Sequence, residues 1–576
     1  MKQTLLLFSL AFLLSCSNNS KLTLPQDPIR SNQTYHYHEG IAWWDSLSNY
    51  SEKISLQTFG QTDASYPLHL AIFSNKNVEL GTIKRSGLPV LLINNAIHPG
   101  EPDGVDASMA FFRKLASNND YANKFKDLVI VCIPYYNIGG TLNINSHTRA
   151  NQNGPKAYGF RGNAQNLDLN RDFVKCDSRN ALSFSNLIEI IDPDVYVETH
   201  VSNGADYPYV MTYLPTQADK LGYGMDKIQR ELLNPKLEEN MLKAAFPIVP
   251  YVNVHGIPLD SSYTAFYDSP RYSTGLMALR QSFAYITESH MLKPYDDRVQ
   301  ATYKFIESIG EITLIEQKAI KRARHDARQA VSTADSFALD WKIDSTRWRD
   351  LDFTVYQAGF KKSLTTGYDR LYYDRSAPSS INMKYYEFMK PTIQRKKPKA
   401  YVLNGGYKDV IERLNKLGIH MQIIKADTTI EVVEYRISSF ETSPTPFEKH
   451  YFHHNTTFSR DTILKIFVTG DCIIELGNYK DRMVVELLEP DGPDSYFNWN
   501  FYDAILQQKE WYSPYVFEDE AFALLSEDKD LQESFEMMKA STPGFAQNPQ
   551  WQLYWIYQQS PHYEASHMQL PIYRIE

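Results

Sequence analysis

Apolar residues along this chain gather in short runs separated by longer amphipathic stretches. Leu68 to Phe73, Leu88 to Asn95 and Leu128 to Pro134 are such runs, and each has the length of a buried strand. Asp103 to Ala116 lies between the last two. It sets Met109, Ala110 and Phe112 on an apolar side, as a helix packed on a sheet does. Strand, helix, strand predicts right-handed βαβ units. The pattern continues with a helix over Ala181 to Ile190 and a strand over Asp194 to Thr199. A charged helical excursion covers Gln217 to Ala245, a short strand Tyr285 to Glu288, and a long helix Pro294 to Ala330. The predicted fold is α/β, a mixed, largely parallel twisted sheet flanked by helices, over residues 34–331.

From about Ser332 the texture changes. Lys399 to Ile424 reads strand, glycine turn, helix, strand, a second and smaller α/β unit. Arg436 to Val485 is rich in β-branched and aromatic residues, which predicts antiparallel strands. Helices are expected around Phe501 to Lys509 and Leu531 to Ala540. Residues 332–576 are therefore a carboxy-terminal accessory region, mixed α/β and β-rich. His453 and His454 are adjacent in a strand, point to opposite faces, and read as surface residues.

The 576 residues favour several domains. A hydrophobic content of 43% with 22% charged residues is that of a globular protein. The net charge of −9 gives no electrostatic case for a nucleic-acid partner. The 39 tyrosines suit peptide or glycan binding as well as aromatic packing.

Residues 1–15 read as an export signal: Lys2, then an apolar stretch from Leu5 to Leu14, too short to span a bilayer. Leu13 to Cys16 resembles the lipobox of bacterial lipoproteins, which implies cleavage before Cys16 and lipidation of its thiol. Residues 16–33 then form a polar tether, and the chain is expected in the bacterial cell envelope, held to a membrane by that lipid. Three widely spaced cysteines remain, with no CxxC, so no disulfide framework is predicted and any metal falls to His and carboxylates. Cys132 lies in an apolar run and reads as an inert core thiol.

The candidate chemistry sits where the apolar runs end. His98 and Glu101 follow the Val90 to Ile93 run, three residues apart in a loop. An imidazole and a carboxylate so placed can anchor zinc, which needs one more protein ligand to leave a fourth position open. Loops beyond the carboxyl ends of strands are where open α/β sheets build their sites. His200, at the end of the Asp194 to Thr199 strand, supplies the third ligand. Glu198, two residues earlier on the same side, is the alternative. Glu288 ends another apolar run and is a candidate general base, competing with a surface pairing to Lys293 or Arg298. The loop Gly159 to Phe173 offers Arg161, Asn170 and Arg171, suited to gripping a carboxylate and stabilising an oxyanion.

In this order the motifs HPGE, NLDLNRDF, ETH and TES resemble the zinc metallocarboxypeptidases, the carboxypeptidase A-like family, over roughly Thr34 to Ile320. The resemblance implies one Zn²⁺ held by His98, Glu101 and His200, and Glu288 as general base. It implies that Asn170 and Arg171 bind the terminal carboxylate of a peptide substrate. An Arg that polarises the scissile carbonyl falls on Arg161, with Arg149 as the alternative. A mobile Tyr about twenty residues before the base falls on Tyr267, with Tyr263 and Tyr272 also available. The usual specificity signature is absent from SSYTAFYDSPRYSTG, and residues 332–576 have no counterpart in a minimal catalytic domain. The expected function is that of an exopeptidase removing the carboxy-terminal residue. Its alternatives are a cell-wall peptidase or amidase with the same zinc chemistry, and a catalytically dead lipoprotein binding peptide or glycan.

Overall fold

The computed structural model describes residues 23–576, apart from Asn77. The export signal and Cys16 lie outside the described residues. Among these, the larger sheet has eight strands. Its centre is a parallel set, Val129–Ile133, Val90–Asn94, Val195–Ser202 and Phe283–His290. The first two are buried at every residue, which explains why they are continuous apolar runs. Leu91 and Ile93 join the core on one face, Val90 and Leu92 the core on the other. Leu68–Phe73 pairs antiparallel on one flank and Met211–Pro215 on the other. The expected parallel sheet is thus its centre, and antiparallel margins make the whole mixed.

Val195–Ser202 is also fully buried, yet it carries Glu198, Thr199, His200 and Ser202. Buried polar groups need partners, and here they gather at one end of the strand. The helix Asp103–Ser117 starts just after the His98 loop and lies against this strand end. A Cβ at Gly104 would overlap the Thr199 hydroxyl, so glycine lets helix and strand approach.

The predicted elements are present with shifted bounds: helix Arg179–Ile191, strand Val195–Ser202, strand Phe283–His290. The long helix expected over Pro294 to Ala330 is two, Tyr295–Ile315 and Gln317–Thr333, with Glu316 between them. Past residue 333 the strand Ala400–Leu403 and helix Lys408–Lys416 match the expected small α/β unit. They join a six-stranded antiparallel sheet into which the last strand, Gln569–Ile575, is inserted. The hairpin Arg349–Lys362 with Asp369–Tyr386 was not legible beforehand. A 3-10 turn over Asp503–Leu506 stands where a longer helix was expected.

Three expectations are corrected. Residues 24–33 are not a free tether: Trp43 donates to the Gln26 carbonyl at 2.9 Å and Arg113 to that of Pro25 at 2.8 Å. The 331/332 boundary does not divide the core, because Phe184 and Leu187 share one apolar cluster with Tyr401, Leu403 and Leu487. His453 is buried, not exposed, hydrogen-bonded to Thr442 and Asp503. Cys132 is the expected core thiol, pushed up to about 12 by burial. No helix among the described residues is long and apolar enough to cross a membrane.

Arg298 ties these pieces together. It is fully buried and grips Asp103 at 2.9 and 3.2 Å. It also donates to the carbonyls of Asn153, Gly154 and Lys293. Arg298→Ala leaves the Asp103 carboxylate buried and unpaired, which costs about 3–5 kcal/mol. Urea unfolding of parent and variant should show that loss. A difference below about 1 kcal/mol would mean the Asp103 carboxylate finds another partner.

Candidate active site

The loop after Val90–Asn94 turns tightly, with the Glu101 N–H donating to the His98 carbonyl at 2.8 Å. This turn aims both side chains at the end of the neighbouring strand. Asn94 pairs with Glu198, so His200 lies just beyond the same rim. His98 Nδ1 is 3.2 Å from His200 Nδ1 and 3.3 Å from Glu101 Oε2, and His200 Nδ1 is 3.1 Å from that oxygen. All three side chains are almost fully buried.

Zinc bonds N and O ligands at about 2.0–2.2 Å, which sets tetrahedral edges at roughly 3.3–3.5 Å. The three observed edges match within a few tenths of an ångström, so His98, Glu101 and His200 fit a zinc ion. Among the described residues this is the cluster with metal-ligating geometry.

Each histidine is held from behind by a carboxylate. His98 Nε2 is 2.9 Å from Asp168 Oδ1, and His200 Nε2 is 3.0 Å from Glu198 Oε2. Such partners fix ring orientation and make the ligating nitrogen more basic. Glu198 also accepts from Tyr196, Asn94 and Ser273. Its lone pairs are taken, so it backs His200 and is not the alternative ligand. Arg149 spends all its nitrogens, on Glu101 at 2.7 Å, Val201 at 3.0 Å and Gln152 at 2.5 Å.

The charges explain the titration pattern. Burial opposes ionisation of Glu101, but Arg149 and the two histidines hold it well below the usual carboxylate range. Asp168 is half-buried, and His98, Arg161 and Arg171 hold it low. Burial works against charge on His200, yet Glu101 and Glu198 carry it up to about 10. A proton there stands in for positive charge that a metal supplies.

A cleft of about 500 Å³ opens on this cluster and is also lined by Glu288, Arg161, Asn170, Arg171 and Tyr272. Glu288 is the one residue of Phe283–His290 that is not fully buried. Its pKa is pushed up to about 7, mainly by enclosure and further by Glu101, against His200, Arg149 and Arg161. The expected rivals do not take it: Lys293 pairs with Asp206 and Arg298 with Asp103. Arg161 binds Asp168 through Nε and Nη2 and leaves Nη1 facing the cluster, 3.3 Å from His98 Nδ1. Among the described residues Asn170 has no side-chain hydrogen-bond partner, and its amide oxygen is buried. Arg171 lies over the Tyr272 ring, 4.7 Å from its centre.

Tyr267 is the misplaced expectation. Phe266 lines the cleft, and in an extended segment the next side chain faces the other way. The Tyr267 ring stacks with the Lys220 ammonium instead. Tyr263 donates to the Pro250 carbonyl in the core. Tyr272 and Tyr251 are the cleft tyrosines. Asp168 was missed, although its place two residues before Asn170 was a signal. Tyr251 had none, since its segment lacks periodicity.

Comparison with known proteins agrees with this geometry. Residues 40–206 match the family model described as zinc carboxypeptidase. "Carboxypeptidase 2" of Trichophyton tonsurans is 19% identical over 433 residues, covering 70% of this chain and 72% of that one. The Trichophyton rubrum protein of the same name is 17% identical over the same shares. Among solved structures, a metallo-carboxypeptidase from Burkholderia cenocepacia shows 14% identity and a TM-score of 0.36, covering 50% of this chain and 70% of that chain. Carboxypeptidase A from Helicoverpa armigera shows 15% identity and 0.36, covering 51% and 74%. The fold rests on the sheet described above, not on likenesses of this size. The resemblance read from the motifs is borne out over residues 40–206, and the hydrolase reading with it.

Metal analysis should find about one zinc per chain, and His98→Ala should lose both metal and activity. Glu198→Gln should keep the site but bind zinc about 10–100-fold more weakly, read by competition with a chelating dye. Full zinc occupancy in His98→Ala would remove it from the ligand set.

Proposed function

We propose that this protein is a zinc-dependent exopeptidase hydrolysing the carboxy-terminal bond of peptides. The observation that carries this reading is the position of Asn170 and Arg171 on the same cleft as the metal cluster and Glu288. Arg171 can meet a substrate carboxylate with two parallel hydrogen bonds. The Asn170 amide, turned about its terminal torsion, offers its NH₂ to the same group. A carboxylate held there limits cutting to the chain end.

His98, Glu101 and His200 would hold the zinc, which supplies Lewis acidity to the scissile carbonyl and to water. Glu288 takes the proton from the attacking water and later passes it to the leaving amine. Arg161 turns Nη1 into the cleft and is the donor for the developing oxyanion, whereas Arg149 is committed to Glu101. Tyr272 takes the place first assigned to Tyr267. Export and lipid anchoring through Cys16 belong to the same proposal and rest on the amino-terminal sequence.

Glu288→Gln should keep its zinc and fold but lose about 10²–10⁴ in turnover. Parent-like activity would make another carboxylate the base.

The exopeptidase claim is tested with a peptide and its amidated twin. Losing a hydrogen bond to a charged group costs about 1.5–3 kcal/mol, or about tenfold to a hundredfold in kcat/KM. The parent should prefer the free acid by that factor, and Arg171→Ala should erase most of the preference. Both peptides on both enzymes form a double-mutant cycle that isolates the contact. Equal parent rates would point instead to an endo-acting or cell-wall amidase.

A further inference from the structure

A turn of the carboxy-terminal region packs against the segment that holds Asn170 and Arg171. Phe447 and His450 exchange two backbone hydrogen bonds, closing a two-residue turn over Glu448 and Lys449. Both turn residues have positive φ, 48° and 77°. Such turns favour Asn-Gly, because side chains other than Gly and Asn are strained there. Glu448 and Lys449 occupy it instead. A strained backbone carrying a specific side chain suggests that the side chain has a task.

The side chains on this turn bracket the segment that holds Asn170 and Arg171. The Glu448 carboxylate accepts the Asp168 backbone N–H at 2.7 Å. Two residues later, His450 Nε2 is 2.6 Å from the Asp177 carboxylate, which Lys175 and Arg413 also hold. The turn is itself pinned. Phe447 stacks on Trp499, and Arg271 lies over the same ring while donating to Asp494.

Asp168 is where this matters. Its Oδ1 faces His98 and accepts the Asn170 N–H, and its Oδ2 takes Arg161. It caps the short turn Leu169–Arg171. The orientation of its backbone therefore sets a metal ligand, the oxyanion arginine and the carboxylate pair together.

We propose that the Phe447–His450 turn is a clamp by which residues 332–576 position the catalytic segment, with Glu448 as its positioning residue. The inference rests on the exopeptidase reading for its kinetic readout only. Glu448 touches no substrate and acts through the Asp168 backbone. It needs an acceptor oxygen rather than a charge, so glutamine should replace it.

Glu448→Gly tests this in the full chain. Glycine relieves the positive φ, so the turn should survive while the acceptor is lost. The kcat/KM on the free-acid peptide should fall about ten- to a hundredfold, the size expected when a binding group shifts by about an ångström. Hydrogen exchange at the Asp168 amide should speed up. Glu448→Gln should restore both to near the parent values. Two results overturn the proposal: parent-like kcat/KM and exchange in Glu448→Gly, or no rescue by Glu448→Gln. A parent without any free-acid preference would defeat the exopeptidase reading instead. The clamp would then stand or fall on the Asp168 exchange rates of the same two variants.

Discussion

Two imidazole nitrogens and a carboxylate oxygen lie within 3.1–3.3 Å of one another in a buried pocket. Bringing polar groups so close without a shared cation or proton leaves their lone pairs opposed and desolvated. The rest of the site exists to make this arrangement stable. Asp168 and Glu198 steady the rings from behind, and Arg149 and Arg161 balance the carboxylates in front. Such anionic partners raise a site's affinity for a cation, and Arg149 and the two histidines keep Glu101 ionised.

That arrangement follows from sheet geometry. Parallel strands end on one rim, and the register sets Asn94 beside Glu198 and His200 beside Glu288. His98 and Glu101 come from the loop after one strand, His200 from the next strand, and Glu288 from the strand beyond. No long-range coincidence is needed once the strands pair in that order. Period-two alternation places Glu198 behind His200 on the same side, which makes it a support rather than a rival ligand.

What was legible beforehand follows the same logic. His98, Glu101, His200 and Glu288 each sit where an apolar run stops, and a polar group at the end of a buried strand is visible in one dimension. The Asn170–Arg171 pair was legible as a loop dense in polar groups. Tyr267 was misplaced because spacing along an irregular segment does not say which side chain turns inward. His453 was misread because burial across a sheet depends on Asp503 and Asn500, far along the chain. The link from Glu448 to Asp168 crosses 280 residues and leaves no local pattern. For the same reason the change in texture near Ser332 did not reveal that the apolar core continues across it.

Residues 332–576 share an apolar core with the eight-stranded sheet and touch Asp168 beside the candidate site. The proposed activity requires that hydrolysis begin at a free carboxyl end. The full-length, zinc-loaded protein incubated with defined peptides and followed by mass spectrometry tests it directly. The expected products are shortened from the carboxyl terminus one residue at a time, with amino termini intact. Internal cleavage, or loss of residues from the amino end, would contradict it.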